Sequence, residues 1–101
     1  MSALIQLGRL DEAHSAIRGF ERTARERGSR SRLAALARLR GELATARREH
    51  PVAREAFEEA LQLGDGVADA IEQGLALASF GRFLRRRGER RAAQELSLIH
   101  I

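Results

Sequence analysis

Between Ala53 and Leu61 the apolar residues Ala53, Ala56, Phe57, Ala60 and Leu61 recur at i, i+3, i+4, i+7 and i+8. That spacing lines one face of an α-helix, and it leaves Arg54, Glu55, Glu58 and Glu59 facing water. Upstream, Leu33, Leu36, Ala37, Leu43 and Ala44 form a similar stripe with Gly41 in its middle. The two stripes part at His50-Pro51. Proline lacks an N–H and disfavours helix in the residue before it, so His50 is expected to end one helix and Pro51 to open the next. The stretch from Arg32 to Leu63 thus predicts a helical hairpin. Gly41, Ala53 and Ala60 would let its two backbones approach, with Phe57 filling the space beside them.

The flanks read the same way. Residues 1–9 form the tail of a helix, with Leu4, Leu7 and Leu10 apolar and Gly8 at the turn. A second helix is expected from Asp11 to Arg27, burying Ala13, Ile17, Phe20 and Ala24, with Asp11 and Glu12 favourable at its positive end. Gly28-Ser29-Arg30-Ser31 reads as a loop with Ser31 as N-cap. Gly64-Asp65-Gly66 is a connector. The next helix, from Val67 to Arg87, is expected to bury Val67, Ile71, Leu75, Ala78, Phe80 and Leu84. Gly88 ends it, and a final helix starts at Glu89 with Ala92, Ala93 and Leu96.

A shift of forty residues superposes Ala13, Ala53 and Ala93, and also Gly41 and Gly81. Gly8 and Gly88 align under the same operation, with Arg48 between them. Glycine inside a helix costs about 1 kcal/mol against alanine, so paired glycines call for a packing reason. An internal period of this length predicts stacked hairpins. If the flanking hairpins are incomplete, Ala13, Ile17 and Phe20 at one end and Leu77, Phe80 and Leu84 at the other are expected to be under-covered, which favours self-association.

The order Leu77-x-x-Phe80-Gly81-x-x-Leu84 followed by Gly88 and Ala93 resembles the tetratricopeptide repeat, as does Gly41 followed by Ala53, Phe57 and Ala60. Ala37 and Leu77 stand where that family has a tryptophan, Arg40 stands for a leucine, and the period is longer than usual. Longer repeats of this kind are similar to the helical region of large LuxR-type bacterial transcriptional regulators, which pair an ATPase module with a DNA-binding domain. The phrases Leu7-Gly8-Arg9-Leu10-Asp11-Glu12-Ala13 and Gly81-Arg82-Phe83-Leu84-Arg85-Arg86 carry that likeness. The resemblance implies an all-α, right-handed solenoid of antiparallel helical hairpins, about two complete hairpins with partial ends. It also implies a binding groove lined by the first helix of each hairpin. Carried onto this sequence, the groove positions are Ala35, Arg38, Glu42 and Thr45, then Leu75, Ala78, Arg82, Arg85 and Arg86. The segment Leu96-Ser97-Leu98-Ile99-His100-Ile101 resembles the translation of a transposase adapter used in preparing sequencing libraries. Residues 96–101 are accordingly expected to be non-native, and residues 1–95 to be a repeat segment of a longer protein.

Composition narrows the chemistry. Of 101 residues only four are aromatic, all Phe, so the core must be built from Leu and Ala by close helix packing. Cysteine is absent, which excludes disulfides, thiol catalysis and cysteine-ligated metals. No secretory signal and no run of about 20 apolar residues is present, so a cytoplasmic location without membrane contact is expected. All eighteen basic residues are arginine, and the formal charge is a modest +4.

His14, His50 and His100 are too scattered for a metal site. Glu58-Glu59 and Asp11-Glu12 are helix neighbours whose side chains diverge, and they read as solvated faces. The glycines punctuate helices and form no phosphate loop. The expectation is a protein that is not an enzyme, with no cofactor, whose partner is a protein, a peptide or an adjacent domain of the same chain. The basic cluster Arg82–Arg91 offers a nucleic-acid-contacting alternative. Against it, Glu89 interrupts the cluster and no aromatic residue is placed to stack bases. A structural spacer is the third reading.

Overall fold

The computed structural model describes residues 1–63, 70–89, 92 and 95. They form five helices: α1 (Ser2–Gln6), α2 (Leu10–Arg27), α3 (Arg30–Ala46), α4 (His50–Leu63) and α5 (Ala70–Arg86). No strand occurs among the described residues. The Gly64-Asp65-Gly66 connector, Val67, Ala93 and the segment 96–101 lie outside them. So does most of the helix expected from Glu89.

Helix α3 is the hub, since it packs against α1, α2, α4 and α5. It buries Ala34, Leu36, Ala37, Leu39, Gly41, Leu43 and Ala44, positions that cover more than half of its circumference, with Arg38, Glu42 and Thr45 on the remaining face. A helix buried over so wide an arc is a core helix, which is why this one lacks the narrow amphipathic stripe of its neighbours. On one side Leu36, Leu39 and Leu43 meet Ala13 and Ile17 of α2, with Leu4, Ile5 and Leu10 packed at the edge. On the other, Ala44 joins Ala53 and Phe57 of α4 and Phe80, Phe83 and Leu84 of α5. The rings of Phe57, Phe80 and Phe83 form a mutual cluster with centroid separations of 5.5, 5.8 and 6.2 Å. Three of the four phenylalanines thus sit at one junction.

Three of the turns share one geometry. Gly8, Arg48 and Gly88 all take positive φ, at 79°, 60° and 78°. In each, the amide bonds the carbonyl three residues back: Gly8 to Ile5, Arg48 to Thr45, Gly88 to Arg85. The following amide reaches five residues back, from Arg9 to Leu4, Glu49 to Ala44 and Glu89 to Leu84, at 2.8–2.9 Å. These are helix-ending motifs in which a left-handed residue satisfies the last carbonyls. The connection from α2 to α3 is tighter. Only Gly28, at φ 61°, and Ser29 separate the helices.

Several sequence expectations are corrected. The N-cap of α3 is Ser29 and not Ser31: its extended backbone lets Oγ accept from the Arg32 amide at 3.3 Å. His50 opens α4 instead of ending α3, because the left-handed Arg48 has already closed the preceding helix. Phe20 is half-buried. In α5 the stripe is rotated: Ile71 is 83 % exposed, Leu75 is 45 % exposed and Ala78 is exposed, while Ala76, Ser79, Phe80, Phe83 and Leu84 are buried. Ala13, Ile17, Phe80 and Leu84 are well covered, so the exposed apolar positions at the ends are instead Leu7, Ile71 and Leu75. The space beside Gly41 is filled by the ring of Phe57, as the sequence pattern suggests.

Candidate functional site: a cleft between α1, α3 and α5

Helices α1, α3 and α5 border one cleft. Ile5 and Gln6 come from α1, Glu42, Thr45 and Ala46 from α3, and Ser79, Arg82, Phe83 and Arg86 from α5, with Phe57 of α4 beneath. Its volume is about 300 Å³. Thr45, Ala46, Phe83 and Arg86 are shared with an adjoining chamber of about 610 Å³, to which Arg48, His50 and Arg87 contribute. These volumes fall in the range of small-molecule and peptide-side-chain sites.

Local structure sets each side chain. Thr45 donates its hydroxyl to the Gly41 carbonyl at 2.7 Å, one turn back, which leaves its oxygen as an acceptor toward the cleft. Arg82 donates to Ser79 Oγ at 3.1 Å. Arg86 lies one turn further along α5 and is exposed. Arg87 sits over the Phe83 ring at 6.0 Å and lies 3.7 Å from Glu89. His50 packs its ring 6.0 Å from Phe83, and its Nδ1 is buried without a hydrogen-bond partner.

Arg38 and Glu42 are engaged with each other. Arg38 Nη1 donates to Glu42 at 2.6 Å and its Nε donates to Glu72 of α5 at 2.5 Å, so one guanidinium ties α3 to α5. Its side chain is only 13 % exposed. Burial penalises the Arg38 cation, but the hydrogen bond and charge of Glu72, then those of Glu42, outweigh that penalty and raise its pKa. The charge is permanent, and its work is to hold the two helices together.

Of the nine groove positions read from sequence, Glu42, Thr45, Arg82 and Arg86 come together in the cleft. Arg38 stands behind it in the ion-pair network, and Ala35, Leu75, Ala78 and Arg85 do not line it. Ile5, Gln6, Ser79 and Phe83 were missed. Arg48 and His50 were noticed as punctuation and not as lining. The recurrence of position 8 at 48 and 88 held the signal for Arg48, since it marks a turn residue at the cleft mouth. Arg90 and Arg91 of the basic cluster lie outside the described residues.

Another depression, of about 340 Å³, lies among α2, α3 and α4, where Glu21 and Arg40 neutralise each other. Among the described residues no group of three or more His, Asp or Glu is placed to hold a metal ion, and no helix is long and apolar enough to cross a membrane. No protein-family model matches the chain, and no curated protein or solved structure is significantly similar to it.

Proposed function

We propose that the chain is a non-catalytic interaction segment of tetratricopeptide-like build, which binds a protein or peptide, or relays a ligand signal between adjacent domains, within a cytoplasmic bacterial transcriptional regulator. The observation that carries this reading is the cleft bordered by α1, α3 and α5, the helices that the repeat reading takes as the first of each hairpin. It is supported by three turns with the same hydrogen bonds at positions 8, 48 and 88, as an array of similar hairpins requires. The regulator assignment rests on the phrasing of Leu7–Ala13 and Gly81–Arg86 alone. Self-association belongs to the same proposal: Ile71 and Leu75, one turn apart and exposed on α5, would be covered by a neighbour.

The test is to titrate the labelled protein with a library of unrelated peptides and map amide shift changes. Changes confined to α1, α3 and α5 support the proposal. Changes confined to α2 and α4, or no saturable binding at all, count against it and leave the spacer reading. Sedimentation of the wild type and Ile71→Glu over a range of concentrations checks the self-association.

A further inference from the structure

The cleft has a charge that its surroundings do not neutralise. Among the residues lining its two joined chambers, the arginines Arg48, Arg82, Arg86 and Arg87 stand against a single carboxylate, Glu42. Glu42 is already held by Arg38 at 2.6 Å. Among the described residues neither Arg48 nor Arg86 has a carboxylate partner, and Arg82 bonds only the Ser79 hydroxyl. Arg87 lies 3.7 Å from Glu89, and other arginines are paired as well: Arg9 with Glu12, Arg25 and Arg40 with Glu21, Arg38 with Glu42 and Glu72, and Arg54 with Glu89. Arg48, Arg82 and Arg86 are the three in the joined chambers that no described carboxylate neutralises.

We propose that this cleft binds an extended acidic peptide. The proposal rests on the reading of the cleft as an interaction face and specifies its ligand. Arg82 and Arg86 are four residues apart on α5, a rise of about 6 Å. Carboxylates at alternate positions of an extended strand are about 6.6 Å apart and point to the same side. Two such carboxylates match the two guanidinium groups, each a donor fork suited to carboxylate. The intervening side chains then face away from α5, toward the wall that Ile5 supplies. Phe57 and Phe83 form an apolar floor that excludes water from the pairs and strengthens them. A nucleic-acid strand would need stacking platforms, and the cluster Phe57, Phe80 and Phe83 is buried and committed to its own packing.

The experiment measures fluorescence anisotropy of a labelled heptapeptide of alternating aspartate and leucine against the whole chain. Its aspartate-to-asparagine counterpart and a labelled oligothymidylate serve as comparisons. The acidic peptide is expected to bind saturably, and Arg82→Ala and Arg86→Ala are each expected to weaken it by about tenfold or more. Arg85→Ala removes the same charge from an adjacent exposed position that does not line the cleft, and it is expected to change affinity less than about twofold. Circular dichroism of the three variants checks folding, and Arg86 bonds nothing among the described residues, so its loss is expected to leave the helices intact. Equal weakening by Arg85→Ala would reduce the effect to net charge and overturn the proposal. Equal binding of the asparagine peptide would also overturn it while leaving the interaction face standing. Tighter binding of oligothymidylate, in competition with the peptide, would replace it with the nucleic-acid reading. No binding of any peptide would remove both.

Discussion

Gly41 and Phe57 occupy the same seam between α3 and α4: a methyl group on Gly41 would lie 2.5 Å from Cε1 of the Phe57 ring. That ring cannot swing away, because it is 1 % exposed and sits against both Phe80 and Phe83. Gly41→Ala is therefore expected to destabilise despite alanine's better helix propensity, and Gly41→Leu to cost on the order of 1–3 kcal/mol by overpacking. In a double-mutant cycle, Phe57→Leu should recover part of the Gly41→Ala penalty. Urea unfolding of the four proteins reads this directly. If Gly41→Ala unfolds later than wild type, the seam is looser than described.

Gly19 gives the opposite sign. It lies inside α2, exposed, and a methyl group there meets nothing within 4 Å. Gly19→Ala should stabilise by about 0.5–1 kcal/mol, through lower unfolded-state entropy and better propensity. Thermal melting of the two glycine variants side by side separates packing from propensity.

Arg48 holds a left-handed conformation at φ 60° where the matching turns have glycine. A side chain there costs roughly 1–2 kcal/mol, offset in part by glycine's greater freedom when unfolded. Arg48→Gly is expected to raise stability by about 0.5–1 kcal/mol at an unchanged denaturant slope. Gly8→Ala and Gly88→Ala should lower it. A stability unchanged by Arg48→Gly would mean that its side chain compensates the backbone elsewhere.

Glu21 of α2 accepts from Arg40 of α3 and from Arg25 of its own helix. The hydrogen bond from Arg40 is the leading cause of its lowered pKa, Arg25 the next, and partial desolvation opposes them. A carboxyl depressed in the folded state contributes stability above its ordinary value of 4.5, and that contribution is lost as pH falls through the folded value. Melting temperatures recorded from neutral pH down to about pH 2 should show Glu21→Gln less stable than wild type above this window, with the gap closing below it. A gap that stays constant with pH would assign the effect to packing.

Helix positions in α2, α3 and α4 could be read from the spacing of their apolar residues. The burial of α5 could not. Its sequence offers one apolar stripe through Ile71, Leu75 and Ala78 and another through Ala76, Phe80 and Phe83, and the pattern alone does not choose between them. The choice is made by α3 and α4, which supply Ala44, Ala53 and Phe57 to the second stripe. Ser29 and Ser31 posed the same ambiguity, decided by where Gly28 turns the chain. The cleft was half legible. Glu42, Thr45, Arg82 and Arg86 followed from helix faces, whereas the Arg38–Glu72 pair spans thirty-four residues of sequence and exists only once α5 is docked.

Helix α1 is five residues long and has no fully buried residue, yet it supplies Ile5 and Gln6 to the cleft. A helix that short has no stability of its own and is held only by Leu4 and Ile5 against the core. One side of the cleft therefore exists only for the fraction of time that α1 is docked, and the apparent affinity for any ligand touching it is scaled by that fraction. Occupancy and the order of the amino-terminal turn become linked variables: a ligand that seats against Ile5 slows amide exchange in residues 2–6, and a substitution that loosens Leu4 weakens binding without touching the ligand.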